Sequence, residues 1–205
     1  MIDKIYVFDD IISIDEQNVI YNFVKTTDIE WVFEKNITGH YGNNGEKFYP
    51  ANVLHKVKLQ KHSINDVINK IQTNVIEKLN LQFIESYRYK INWTKPLDFD
   101  YNPMDLLHID SYVQHIALVY FINDTTGDTH IYDNFEGNNV EVYYKYTNNT
   151  INHLKLKLIQ KISPKMGRCV VFNGGLHHHA EYPKFDDRFI INFNFVAKQK
   201  NTSLI

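Results

Sequence analysis

Hydrophobic spacing along this chain changes period once. Ile14, Val19, Ile20, Phe23 and Val24 fall on one stripe of a 3.6-residue repeat and predict a helix over Ile14–Val24. Ser13 stands before it as an N-cap, and Glu16 sits where a capping box needs its acid. Ile64, Val67, Ile68, Ile71, Val75, Ile76 and Leu79 predict a second helix over Ile64–Leu79, with Ser63 and Asp66 at its cap. After Leu81 the texture becomes alternating and rich in Tyr, Phe, Val and Ile, broken by Asn, Asp, Gly and Thr clusters. Strands are expected over Phe83–Trp93, Leu106–Ser111, Gln114–Ile122, Thr129–Tyr132, Val140–Tyr146, His153–Ile162, Arg168–Asn173 and Arg188–Lys198, with a turn at Thr147–Thr150. Helices followed by strands, without alternation of the two, predict an antiparallel sandwich or barrel backed by helices.

Composition narrows the class. The chain has 205 residues, 43% hydrophobic and 22% charged, which excludes wholesale disorder and predicts one domain. A single cysteine, Cys169, cannot form an internal disulfide and reads as buried, and the chain reads as intracellular. Met1–Asp10 carries Asp3, Asp9 and Asp10 without a basic leader, so neither a signal nor a transit peptide is expected, and no apolar run is long enough for a membrane helix. The formal net charge of −2 argues against nucleic acid as a partner. Charge is uneven, however: Tyr143–Ala180 has no Asp or Glu, and Asp98–Glu136 has no Lys or Arg. Two solvated faces are the simpler account, and docking of an anionic substrate is the sharper one.

Three features carry chemistry. On a strand, His108 and Asp110 project to one face while Ile109 faces the other way, so an imidazole and a carboxylate can share a divalent metal. The run His177-His178-His179 follows Asn173-Gly174-Gly175 and can supply a third ligand from any of its members. Arg188 opens the last strand, where alternation puts Arg188, Ile190, Asn192 and Asn194 on one face and Phe189, Ile191, Phe193 and Phe195 on the other. If the aromatic face packs on the helices, Arg188 points inward, and a buried guanidinium asks for a carboxylate. Two His and one carboxylate form a set that leaves neighbouring positions open on non-haem Fe(II).

With these residues in place, the chain resembles the Fe(II)/2-oxoglutarate-dependent oxygenases, and more closely the small prolyl-4-hydroxylase-like members common in viruses and bacteria. The resemblance covers about Phe83 to Val196. His108 and Asp110 match the HxD motif. Val119–Asn123 followed by Gly127-Asp128-Thr129 matches a strand and the turn after it, and Pro164–Gly174 the strand leading to the distal His. The resemblance implies a mainly β fold, a double-stranded β-helix (jelly roll) with N-terminal supporting α-helices. It treats residues 1–205 as one domain, with 1–81 as helical support and 82–198 as the β-helix core.

It also implies roles. The metal ligands are His108, Asp110 and His178, with His177 and His179 as flanking alternatives. Arg188 takes the far carboxylate of 2-oxoglutarate. Phe121 stands where many relatives have a Tyr that helps hold that carboxylate, so Thr129 or Asn192 is expected to replace it, and Asn92 or Tyr89 to contact the other end. The cofactors are Fe(II), 2-oxoglutarate as a small-molecule cosubstrate, and O2. The implied reaction is hydroxylation of an unactivated C–H bond in a protein, peptide (peptidyl-prolyl) or small-molecule substrate. Because Asp110 is a carboxylate, hydroxylation is favoured over halogenation. The expected location is the cytoplasm, without membrane association. Two other functions fit parts of the pattern: a cupin-like metalloenzyme without 2-oxoglutarate, which has no need of Arg188, and a non-catalytic jelly-roll binding module, which leaves the His/Asp/His/Arg set unexplained. Among milder readings, His115 falls on the inner face and His130 on the outer. Trp31 and Trp93 belong to the core, and His40–Lys47 is a candidate lid.

Overall fold

The structure is a computed structural model that describes residues 2–26, 31–34, 53–55, 64–96, 106–111, 113–134, 141–147 and 150–200. The element order is β1 (Tyr6–Phe8), α1 (Ile14–Lys25), β2 (Val32–Glu34), β3 (Val53–His55), α2 (Ile64–Lys78), β4 (Leu81–Thr94), β5 (Ile116–Phe121), β6 (Thr129–Asn134), β7 (Glu141–Thr147), β8 (Thr150–Ile162), β9 (Cys169–Asn173), β10 (His177–Ala180) and β11 (Arg188–Gln199). The candidate lid His40–Lys47, the cap residue Ser63, and Asp98, Asp100 and Asp105 lie outside the described residues.

Helix α1 begins where its cap dictates. The Ser13 side chain accepts from the Glu16 amide, and Glu16 accepts from the Ser13 amide at 2.9 Å, so two amides that the first turn cannot pair internally are satisfied. Its buried stripe joins that of α2 (Ile20, Val24, Ile64, Ile68, Ile71, Val75) against Phe189, Ile191, Phe193 and Phe195 of β11. Trp31 and Trp93 pack into the same cluster, 5.4 Å apart edge to face.

The strands form two antiparallel sheets. The larger runs β1-β9-β5-β11-β4-β3-β2 and the smaller β10-β6-β8-β7. One face of the large sheet meets the helices. The other packs Ala117, Val119, Phe121, Val170, Phe172 and Ile190 against Ile131 and Ile162 of the small sheet. Period-2 alternation therefore splits each central strand between a helix-facing core and an inter-sheet core. The polar members of β11, Arg188, Asn192 and Asn194, fall on the inter-sheet side and are all buried.

Three expectations need correction. Leu106–Ser111 is not a strand: only His108 pairs, in a single antiparallel bridge to His178. Among the described residues between β4 and β5, His108 alone touches the edge of the small sheet, through that bridge. Residues 1–81 are not only helical, because β1 adds one edge of the large sheet and β2–β3 the other. These three-residue strands are too short to show a period of two. Finally, the histidine run does not merely follow a strand, since it forms β10 itself, paired with β6.

Candidate metal centre and adjoining cavity

The bridge between His108 and His178 explains how residues distant in sequence meet. Each donates its amide to the other's carbonyl, at 3.0 and 2.9 Å. Directly paired residues send their side chains to the same face, and the two imidazole centroids lie 4.5 Å apart. Asp110, two residues beyond His108, turns its carboxylate to the same point. One ligand atom each from His108, Asp110 and His178 lies within 4.8 Å of the others.

Their protonation follows from their partners. Nδ1 of His108 lies 2.7 Å from the Leu106 carbonyl, and Nδ1 of His178 lies 3.0 Å from the Leu176 carbonyl. A carbonyl only accepts, so each Nδ1 carries a proton, and in the neutral ring it is Nε2 that keeps its lone pair. Those Nε2 atoms face Asp110 at 3.7 Å (His108 to Oδ1) and 3.9 Å (His178 to Oδ2). Burial, then His108 beside it, draws His178 down to about 4 against the pull of Asp110, so its ring is neutral at pH 7. Burial works against ionising Asp110, but His108 and His178, whenever their rings hold a second proton, and the amide of Asn194 outweigh it and hold the carboxyl below the ordinary carboxylate range. Two imidazole lone pairs and a carboxylate thus converge on one point. This donor set fits a divalent transition metal, with each His oriented by a backbone carbonyl.

Asp110 is itself gripped. Arg88 Nη2 donates to Oδ1 at 3.1 Å, Asn194 Nδ2 to Oδ2 at 2.8 Å, and Asn192 Nδ2 lies 3.4 Å from Oδ2. Asn192, expected at the cosubstrate, thus also approaches Asp110, and Arg88, which was not among the expected site residues, holds it. A signal for Arg88 did exist: Arg88, Lys90, Asn92 and Thr94 alternate along β4, opposite Asn194, Asn192, Ile190 and Arg188 in register.

The cluster opens into a cavity of about 230 Å³ lined by Asn92, Thr129, Arg188, Asn192, Val119 and Ile190, among others. That is below the roughly 300 Å³ where drug-sized pockets begin, a scale suited to a small diacid. Arg188 is 3% exposed, and its Nη2 donates to Thr129 Oγ1 at 3.1 Å. Its guanidinium lies over the Phe121 ring, 5.6 Å from the centroid. Where a Tyr would hydrogen-bond, Phe121 therefore offers its π face to the cation. Asn92 and Asn192 line the same cavity, and each keeps a buried carboxamide oxygen with no hydrogen-bond partner among the described residues. Tyr89 does not reach the cavity. It packs on Phe193 in the helix-facing layer, with its hydroxyl 3.3 Å from Asn65 Oδ1.

The next residue in the run, His179, has other work. The buried His179 has Nε2 3.0 Å from the Tyr132 hydroxyl and lies tilted against His130, 4.7 Å between ring centroids. Burial, then the nearby His130, draws it down to about 3. Asp128, His130 and Glu181 form a second group with metal-ligand spacing. There Lys161 already supplies a cation, 3.0 Å from Asp128, and His130 lies 3.0 Å from Glu181. His115 is buried with Nδ1 2.7 Å from the Val113 carbonyl, and Gly174 passes so close to its ring that any Cβ there would collide.

No protein-family model matches the sequence, and no curated protein matches it. Solved structures do match over nearly the whole chain. A prolyl hydroxylase from Trichoplax adhaerens, in complex with a hypoxia inducible factor oxygen degradation domain peptide fragment, aligns with TM-score 0.55 at 13% identity. That alignment covers 93% of this chain and 83% of that one. A Pseudomonas putida prolyl-4-hydroxylase aligns with TM-score 0.53 at 11% identity, covering 96% and 92%. The non-heme alpha ketoglutarate dependent epimerase SnoN from nogalamycin biosynthesis aligns with TM-score 0.57 at 9% identity, covering 98% and 82%. The chain therefore has the fold of the prolyl hydroxylases and other 2-oxoglutarate–Fe(II) oxygenases.

Proposed function

We propose that this protein is an Fe(II)- and 2-oxoglutarate-dependent oxygenase that hydroxylates an unactivated C–H bond of a peptidyl-prolyl or small-molecule substrate. The observation that carries the reading is the meeting of two kinds of site in one cavity. His108, Asp110 and His178 converge on one point, and a buried Arg188 lines the same space. His108, Asp110 and His178 would hold the iron, which with 2-oxoglutarate and O2 supplies the oxidising power and leaves succinate and CO2. Arg188 would pair with the far carboxylate of 2-oxoglutarate, with Thr129 fixing the guanidinium and Phe121 supporting it from below. Asn92 and Asn192 would orient the cosubstrate through their carboxamides. With Arg188 buried over Phe121, and Val119 and Ile190 in the cavity wall, water would be kept from the guanidinium and its hold on an anion strengthened.

The whole chain, residues 1–205, would act as one domain in this reading, with α1 and α2 buttressing the wall that carries Arg188. The substrate classes are those met among proteins of this fold: a peptide for one prolyl hydroxylase, and a small molecule for the epimerase. A cupin-like metalloenzyme without 2-oxoglutarate would have no use for a buried Arg188 beside the metal ligands. The test is succinate release. With Fe(II), 2-oxoglutarate and air, the protein should form succinate slowly alone and faster with peptide, nucleotide or amino-acid pools that contain a substrate. Succinate no greater than in an Asp110→Ala control would refute the reading.

A further inference from the structure

Asp110 sits in a closed ring of hydrogen bonds, and the ring has a direction. Arg88 Nε donates to Asn194 Oδ1 at 3.0 Å, and Arg88 Nη2 donates to Asp110 Oδ1 at 3.1 Å. Asn194 has only its amide hydrogens left to offer, and it donates one to Asp110 Oδ2 at 2.8 Å. Because guanidinium cannot accept, the Asn194 carboxamide can stand only one way round. Each carboxylate oxygen thereby carries a donor. Oδ1 is turned toward His108 and Oδ2 toward His178.

The fold places the ring deliberately. Arg88 and Asn194 are direct partners across β4 and β11, and the register shifts immediately after them, between Asn194 and Phe195. A bulge at that point re-aims the side chain beside it. Asn194 is fully buried, whereas the Arg88 side chain is 39% exposed and reaches Asp110 from the rim.

We infer that Arg88 and Asn194 are positioning residues that lock the orientation of the Asp110 carboxylate toward the point where His108 and His178 converge. The inference rests on the metal-site reading above. A carboxylate free to rotate presents a ligand oxygen to that point only part of the time, and so holds a cation less well. With a donor on each oxygen, rotation breaks two charge-assisted hydrogen bonds. Arg88 also carries a positive charge that opposes an incoming cation, but its exposure lets water screen that repulsion. Orientation therefore outweighs charge, and loss of the fork should weaken metal binding.

The experiment uses the full-length protein and the metal alone. Mn(II) binding is titrated for wild type, Arg88→Met, Arg88→Lys and His178→Ala, and Co(II) absorption spectra are recorded for each. Arg88→Met should bind Mn(II) about 10- to 100-fold more weakly and show an altered Co(II) spectrum, because the carboxylate then binds differently. Arg88→Lys keeps a donor for Asp110 but loses the Nε link to Asn194, so it should recover only part of the affinity. Asn194→Ser, with thermal unfolding as a folding check, should weaken Mn(II) binding in the same direction. Wild-type affinity and an unchanged Co(II) spectrum in Arg88→Met would overturn the positioning role. So would tighter binding, because charge would then outweigh orientation. If wild type binds no metal, or His178→Ala binds as well as wild type, the metal-site reading itself fails.

Discussion

At His178 two constraints meet in one side chain. Its Nδ1 is committed to a carbonyl, so Nε2 is the only nitrogen it can offer. Its neighbour His179 spends Nε2 on Tyr132. His178→Ala should therefore abolish Mn(II) binding, while His177→Ala and His179→Ala should retain it, as read by metal titration. Arg188→Leu should leave metal binding intact and raise the 2-oxoglutarate concentration needed for half-maximal succinate release by about 100-fold, the loss expected when one partner of a buried ion pair is removed. His179 also predicts a pH dependence. Its folded pKa, about 3, lies below the ordinary histidine value, so the unfolded chain binds the extra proton first. The stability this gives is present above about pH 6.5 and is lost as pH falls toward 3. Urea midpoints measured between pH 7 and pH 4 should fall less steeply in His179→Gln than in wild type. Equal slopes would contradict the assignment.

At the scale of elements, the turn into β6 sets Thr129 under Arg188. Gly127 has φ +92°, and a Cβ there would lie 2.6 Å from the Glu181 carbonyl oxygen. Gly127→Ala should cost about 1–3 kcal/mol in urea unfolding and weaken 2-oxoglutarate use through Thr129. An unchanged midpoint would show that the turn tolerates a side chain. What the sequence made legible at this scale, and what it hid, have physical causes. The capping box of α1 and the two-faced strand β11 are local patterns, visible because Ser13–Glu16 and Arg188–Phe195 carry their own periodicity. His108 and Asp110 could be read as one face from spacing alone. The segment around them could not be read as a single bridge, because that depends on where β10 lies. Arg88 stayed hidden for the same reason. Its role comes from being opposite Asn194 beside a shifted register, and no window on β4 alone contains that pairing.

At the scale of the whole molecule, the helices, the large sheet and the small sheet form successive layers, and the candidate site lies between the sheets. The uneven charge seen in sequence is partly spent on tying ends together. Arg168 and Lys165 both hold Asp9, beside β1, at 2.7 and 2.9 Å, and Lys161 holds Asp128. The basic stretch therefore has structural partners of its own. Among the described residues no helix is long and apolar enough to cross a membrane. The proposed function rests on one claim above others: a metal at the edge of the small sheet and a diacid on the large one would share this cavity. The most direct test is the visible absorption of the protein under strictly anaerobic conditions with Fe(II) and 2-oxoglutarate. The account predicts a weak charge-transfer band that needs both components together, that is lost in His178→Ala, and that in Arg188→Leu appears only at far higher 2-oxoglutarate. A wild-type protein with no band at saturating Fe(II) and 2-oxoglutarate would contradict it.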